Sequence, residues 1–182
     1  MPGAKNFDTK RTYDNLMHKF KFGGLSTKGI YLDETVMRMC YTHKRIFIQL
    51  AMELMNEGQD KKALEVLEYM EKQIPEYNVP VDYIGGSCDQ ARIYTALNKY
   101  DKARAILEKL WKKSSQYIDW YLGLDGNRFA GSQSDCLRHF YIMQQVSMIA
   151  MQIDKNWGDK LAGQLNIKMD QYHGKGGQFP GQ

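Results

Sequence analysis

Two stretches of this chain carry the same pattern, and that repetition limits the fold more than any other feature. Asn56-Glu57-Gly58-Gln59-Asp60-Lys61-Lys62-Ala63-Leu64 and Leu97-Asn98-Lys99-Tyr100-Asp101-Lys102-Ala103-Arg104-Ala105 each run through a turn and a charged pair into an alanine that opens an amphipathic helix. Such self-similarity belongs to arrays of helical hairpins, where each unit buries its apolar face against a neighbour. Of the four prolines, Pro2 is at the start, Pro75 and Pro80 fall between helical patterns, and Pro180 is in the tail. Long stretches are therefore left open to helix. Apolar residues at three- and four-residue spacing predict six helices, over 34–57, 60–74, 83–97, 100–114, 132–153 and 157–172. Asp33 reads as an N-cap, Gly58 and Asn98 as left-handed stops, and Asp125-Gly126-Asn127 as a break. Gly85-Gly86 weakens the start of the third helix.

The first repeat resembles the tetratricopeptide pattern. Phe47, Leu50, Ala51 and Leu54 stand where that pattern places large, large, small and large residues on its first helix. Ala63, Leu67, Met70 and Pro75 match its second helix and closing proline. Antiparallel helices joined by a short turn cross closely, so small residues belong at the crossing and large ones beside it. The second repeat fits less well, because Gln90 replaces a large apolar residue and Ser115 replaces the proline. Ala63 and Ala103 are 40 residues apart, against ~34 for the usual repeat. The fold class expected is all-α, built of tetratricopeptide-like antiparallel hairpins (an α-α superhelix) of about six helices. The resemblance implies a concave partner surface on the first helix of each hairpin. The positions that match are Arg45, Met52, Met55, Asn56, Arg92 and Thr95. Methionine beside arginine and asparagine suits an adaptable peptide groove.

Charge is concentrated at one end. Residues 1–28 hold six basic and two acidic side chains, and the rest holds nineteen of each, so the net +4 lies in the first 28 positions. Residues 1–30 read as a basic extended arm, with a short helix over 13–20, and 31–172 as one helical domain. The glycine-rich tail 173–182 reads as disordered. A basic arm fits anionic lipid headgroups, while the neutral body argues against nucleic acid as the partner. No apolar run is long enough to span a bilayer, and Pro2-Gly3-Ala4-Lys5 after Met1 lacks the apolar core of a secretory signal.

Cys40-x-x-His43 and Cys136-x-x-His139 each place two soft ligands on one helix face. Together they have the composition of a zinc site, but 96 residues separate them, and cysteine is more often a small buried hydrophobe. A cysteine nucleophile would also need an orienting group and an oxyanion hole, and Asp135, next to Cys136, points to another face. No phosphate loop, dinucleotide fingerprint or HExxH string occurs. The reading is of a chain with no catalytic residues, no metal and no cofactor. The aromatic cluster Tyr117, Trp120, Tyr121, Phe129, Phe140 and Tyr141 is either core or a stacking platform for glycan or peptide. The residues of that candidate platform are Trp120, Tyr121, Asn127 and Arg128.

Several strings resemble something more specific. Tyr13-Asp14-Asn15-Leu16-Met17-His18-Lys19-Phe20-Lys21-Phe22-Gly23-Gly24, Tyr31-Leu32-Asp33-Glu34, Met37-Arg38-Met39-Cys40-Tyr41, Ile74-Pro75-Glu76-Tyr77-Asn78-Val79-Pro80 and Trp120-Tyr121-Leu122 are similar to the C-terminal region of a bacterial family of large polytopic membrane proteins. That family has no assigned function, and its membrane portion is similar to protein O-mannosyltransferases. The resemblance covers roughly residues 10–170. It implies a non-catalytic soluble tail on the extracytoplasmic, periplasmic side of the inner membrane. Such a tail would bind a partner protein or its own membrane domain, or present an acceptor or glycan to it.

Overall fold

The computed structural model describes residues 7–179, and within them the chain is all-helical. A short α1 (Thr9–Asp14), capped by the Asp8 carboxylate, runs into a π-helical turn (Asn15–Lys19). Then follow α2 (Glu34–Asn56), α3 (Asp60–Gln73), α4 (Ser87–Ala96), α5 (Tyr100–Gly123), α6 (Gly126–Ile153) and α7 (Lys155–Gly174). Among the described residues no helix is long and apolar enough to cross a membrane.

The chain divides between Leu97 and Asn98 into two compact units. In the first unit, α2 and α3 form the antiparallel hairpin. The Asp33 carboxylate accepts the Val36 N–H at 2.8 Å and starts α2. Its end is closed by paired bonds from Gly58 N to Met55 O and from Gln59 N to Leu54 O, the Schellman arrangement. Ala51 and Ala63 are fully buried at the crossing, with Phe47, Leu50, Leu67 and Met70 beside them. The tetratricopeptide-like positions of the first repeat thus form its core.

The departure at Gln90 is compensated locally. Its Nε2 donates to Glu71 Oε1 at 3.0 Å, and the Tyr94 hydroxyl donates to the same oxygen at 2.6 Å. A polar residue of α4 is buried because a carboxylate of α3 satisfies it. Burial and that carboxylate push the Tyr94 phenol well above its usual range.

Of the arm read over 1–30, residues 7–30 lie against the hairpin, with helical turns from Thr9 to Lys19 where a short helix is expected over 13–20; residues 1–6 lie outside the described residues. Leu16 is 1% exposed, Thr9 Oγ1 donates to Glu57 at 2.9 Å, and the Tyr13 hydroxyl donates to Glu65 at 3.1 Å. Phe22 packs on Phe47 with ring centroids 5.5 Å apart, and on Tyr69 and His43. An amphipathic segment with apolar anchors at 16 and 22 is held to the hairpin by burial, whatever its net charge.

In the second unit, α6 packs against both α5 and α7. Asp125 does not merely break the helical pattern: its carboxylate caps α6 at the Arg128 N–H, and helix resumes at Gly126 rather than at 132. Gly158 lies against Met151, and a Cβ there would fall 2.6 Å from the Met151 backbone, so only glycine permits the tight α6–α7 corner. The core gathers Ile118, Phe129, Cys136, Phe140, Met143 and Tyr172. The tail also departs from expectation. Helix α7 continues to Gly174, and Phe179 packs on Tyr172 and Phe140 with centroids 5.1 and 5.4 Å apart. Aromatic burial orders 173–179 despite its glycines; residues 180–182 lie outside the described residues.

Candidate functional site

The first unit carries a cleft of about 350 Å³ where α2 faces the start of α4. Thr42, Arg45, Gln49 and Met52 line it from α2 at spacings of three and four, with Ile46 and Ile48 at its base and Gly86 and Asp89 opposite. The turn that leads into α4 shapes the wall. Gly86 adopts φ +80, and Gly85 sits so close to Tyr41 that a Cβ would meet the ring at 2.7 Å. The two glycines that weakened the helix prediction are what let this turn approach α2. Tyr41 is half-buried there, and burial, with Asp82 nearby, pushes its phenol up to about 12.

Arg45 is exposed in the cleft and Met52 is 44% exposed, so the two are presented together. Asp89 brings a carboxylate to the opposite wall and pairs with Arg92 at 2.6 Å; Arg92 is exposed and outside the cleft lining. Met55 is half-buried and Asn56 exposed at the end of α2, outside the cleft lining. Thr95 requires a correction. It is 8% exposed and its hydroxyl donates to Ala91 O at 2.9 Å, so it belongs to the packed side of α4 and offers nothing to a partner. Sequence reasoning missed Thr42, Gln49, Gly86 and Asp89. The 42–45–49–52 spacing on α2 would have found the first two; the others required the fold of the glycine turn.

The aromatic cluster of the second unit splits in two. Tyr121, Phe129 and Phe140 are buried, whereas Trp120 is 59% exposed and Tyr117 is 42% exposed. Tyr117 stacks on His139 at 4.5 Å with an interplanar angle of 11°, and Trp120 meets the Tyr121 edge at 4.9 Å. Burial raises the Tyr121 phenol, with Asp135 adding to it. Asn127 and Arg128 are exposed in the first turn of α6, where Arg128 lies 3.6 Å from Asp125.

The cysteine–histidine pairs are engaged in packing. Cys40, Cys88 and Cys136 are buried free thiols. Burial raises the Cys40 thiol and pushes Cys88 and Cys136 up to about 11, the direction that disfavours the thiolate needed for metal ligation or nucleophilic attack. His43 lies edge-on to Phe22, and His139 Nδ1 is 3.3 Å from Ser114 Oγ. Among the described residues no three His, Cys, Asp or Glu side chains gather as a metal site would require.

No known family, curated protein or solved structure matches this chain.

Proposed function

We propose that the chain is a non-catalytic interaction domain that holds a segment of a partner protein in the α2–α4 cleft. The supporting observation is the composition of that cleft: adaptable Met52 and Gln49 beside an arginine, with a carboxylate on the facing wall. Such a surface gives a peptide an apolar contact and a charge on each side to fix its register. In keeping with the resemblance of its sequence strings, we take the chain as the soluble tail of a glycosyltransferase-like polytopic membrane protein, at the extracytoplasmic face of the inner membrane. The partner is then either another protein or the membrane portion of its own parent. The test is affinity capture from the cell of origin with wild type and Met52→Glu, each checked for helicity. A carboxylate placed in the apolar contact lowers recovery of a specific partner by about tenfold. Equal recovery by both proteins retires the cleft as the working surface.

A second reading is favoured by one observation, the exposure of Trp120 beside Tyr117. In it the second unit presents a glycan or acceptor polypeptide to the parent enzyme, with Trp120 as the stacking face. Titration of Trp120 fluorescence with oligosaccharides or acceptor peptides tests it. A saturable shift lost in Trp120→Ala supports the reading, and no shift at all rejects it.

A further inference from the structure

Residues 20–33, between the π-helical turn and α2, contain Lys21 and Lys28 and one acidic residue, Asp33, whose carboxylate is engaged in capping α2. The segment is fastened rather than loose. Phe22 is packed on Phe47, Asn78 Nδ2 donates to Leu25 O and Thr27 O at 2.7 and 2.6 Å, and the Tyr77 hydroxyl donates to Ser26 O. Gly23, Gly24 and Gly29 turn it through positive φ. Large side chains nevertheless stay in solvent: Phe20 is 47% exposed, Tyr31 90% and Tyr77 55%. Across residues 7–32 there are five basic and two acidic side chains, a net +3, and one of the two acids, Asp14, is paired with Lys19.

We propose that this loop docks on an anionic bilayer surface. Phe20 and Tyr31 enter the headgroup layer, while Lys21 and Lys28 meet lipid phosphates. Neither signal is sufficient alone. Aromatic residues with a polar end partition to the membrane interface, and basic residues are drawn to an anionic leaflet, so weak contributions become useful when one rigid loop supplies both. Because the loop is already fixed by Phe22, Tyr77 and Asn78, little ordering cost remains to be met on contact. The proposal is independent of the α2–α4 cleft: either can fail without the other. It moves the anionic-lipid contact expected of a free arm onto a folded loop.

The test is co-sedimentation of the whole chain with vesicles of phosphatidylcholine alone, or containing about 30% phosphatidylserine, in low salt. Partition onto the anionic vesicles is expected, with weak or no pelleting on the neutral ones. Lys21→Gln with Lys28→Gln lowers partition about fivefold per lysine, and raising salt to about 0.3 M releases the protein. Tyr31→Ser, which leaves the charge unchanged and removes a side chain with no structural burial, also lowers partition several-fold. Equal pelleting on both vesicles, or none, overturns the proposal. Loss with the lysines but not with Tyr31→Ser overturns it in favour of diffuse charge attraction. Retention on single-stranded RNA without vesicle binding overturns it in favour of a nucleic-acid partner.

Discussion

Lys44 is a buried cation of the first unit, and its replacement by methionine should make the protein's stability respond differently to pH. The side chain is 6% exposed, and its ammonium donates to Val79 O at 2.8 Å. Desolvation lowers its pKa to about 8, although Glu76, Glu71 and Cys40 act in the opposite sense. A base whose folded pKa lies below its unfolded one binds fewer protons when folded, so stability rises with pH between the two values. Below about 8 the full cost is carried, on the order of 3 kcal/mol; it disappears above the ordinary lysine value. Between pH 7 and pH 9 the relief should be roughly 1 kcal/mol. Lys44→Met removes this dependence. It also leaves Val79 O without its donor, which costs about 1–3 kcal/mol, so near pH 7 the variant should lie within about 2 kcal/mol of wild type. The assay is urea unfolding at several pH values followed by far-UV circular dichroism, since Trp111, Trp120 and Trp157 all lie in the second unit. Buried tyrosines and cysteines titrate above this range and are common to both proteins, so the difference between them isolates Lys44. A difference that stays flat between pH 7 and pH 9, or moves against the variant as pH falls, would refute the reasoning.

Three further outcomes are expected. Gly158→Ala should destabilise the second unit by about 2 kcal/mol or more, because a Cβ there meets Met151 backbone atoms that cannot move aside; tryptophan fluorescence during thermal unfolding reads it. Asn78→Ala should remove the two bonds to Leu25 and Thr27 and open the 20–32 loop to limited proteolysis, while far-UV dichroism stays near wild type. The thiols of Cys40, Cys88 and Cys136 should resist a thiol reagent near pH 8 in the native protein and all react in denaturant, because burial raises each.

The α2–α3 hairpin was legible because its information is local. Helical spacing, a capping carboxylate at Asp33, the stop at Gly58 and small residues at 51 and 63 all specify the same crossing. What escaped depends on contacts between distant residues. Nothing in residues 7–32 announces that Leu16 and Phe22 have a surface to bury against, so their charge suggested a free arm. Phe179 orders a glycine-rich tail only because Phe140 and Tyr172 wait for it across the chain. Gln90 looked like a defect until Glu71 supplied its partner. The cleft was half legible. The tetratricopeptide pattern placed Arg45 and Met52 on the partner surface, but it put Thr95 there too, because the pattern could not show which side of α4 packs inward.

The central claim is that the α2–α4 cleft is the working surface. The most direct measurement replaces Gln49, on the cleft wall, with a photoreactive residue in the cell of origin and identifies the covalent adducts by mass spectrometry. The exposed Asn166 of α7 serves as the control position. The account predicts one dominant adduct from position 49, absent from position 166 and lost when Met52→Glu is added. No adduct from position 49, or the same adducts from both positions, would contradict it.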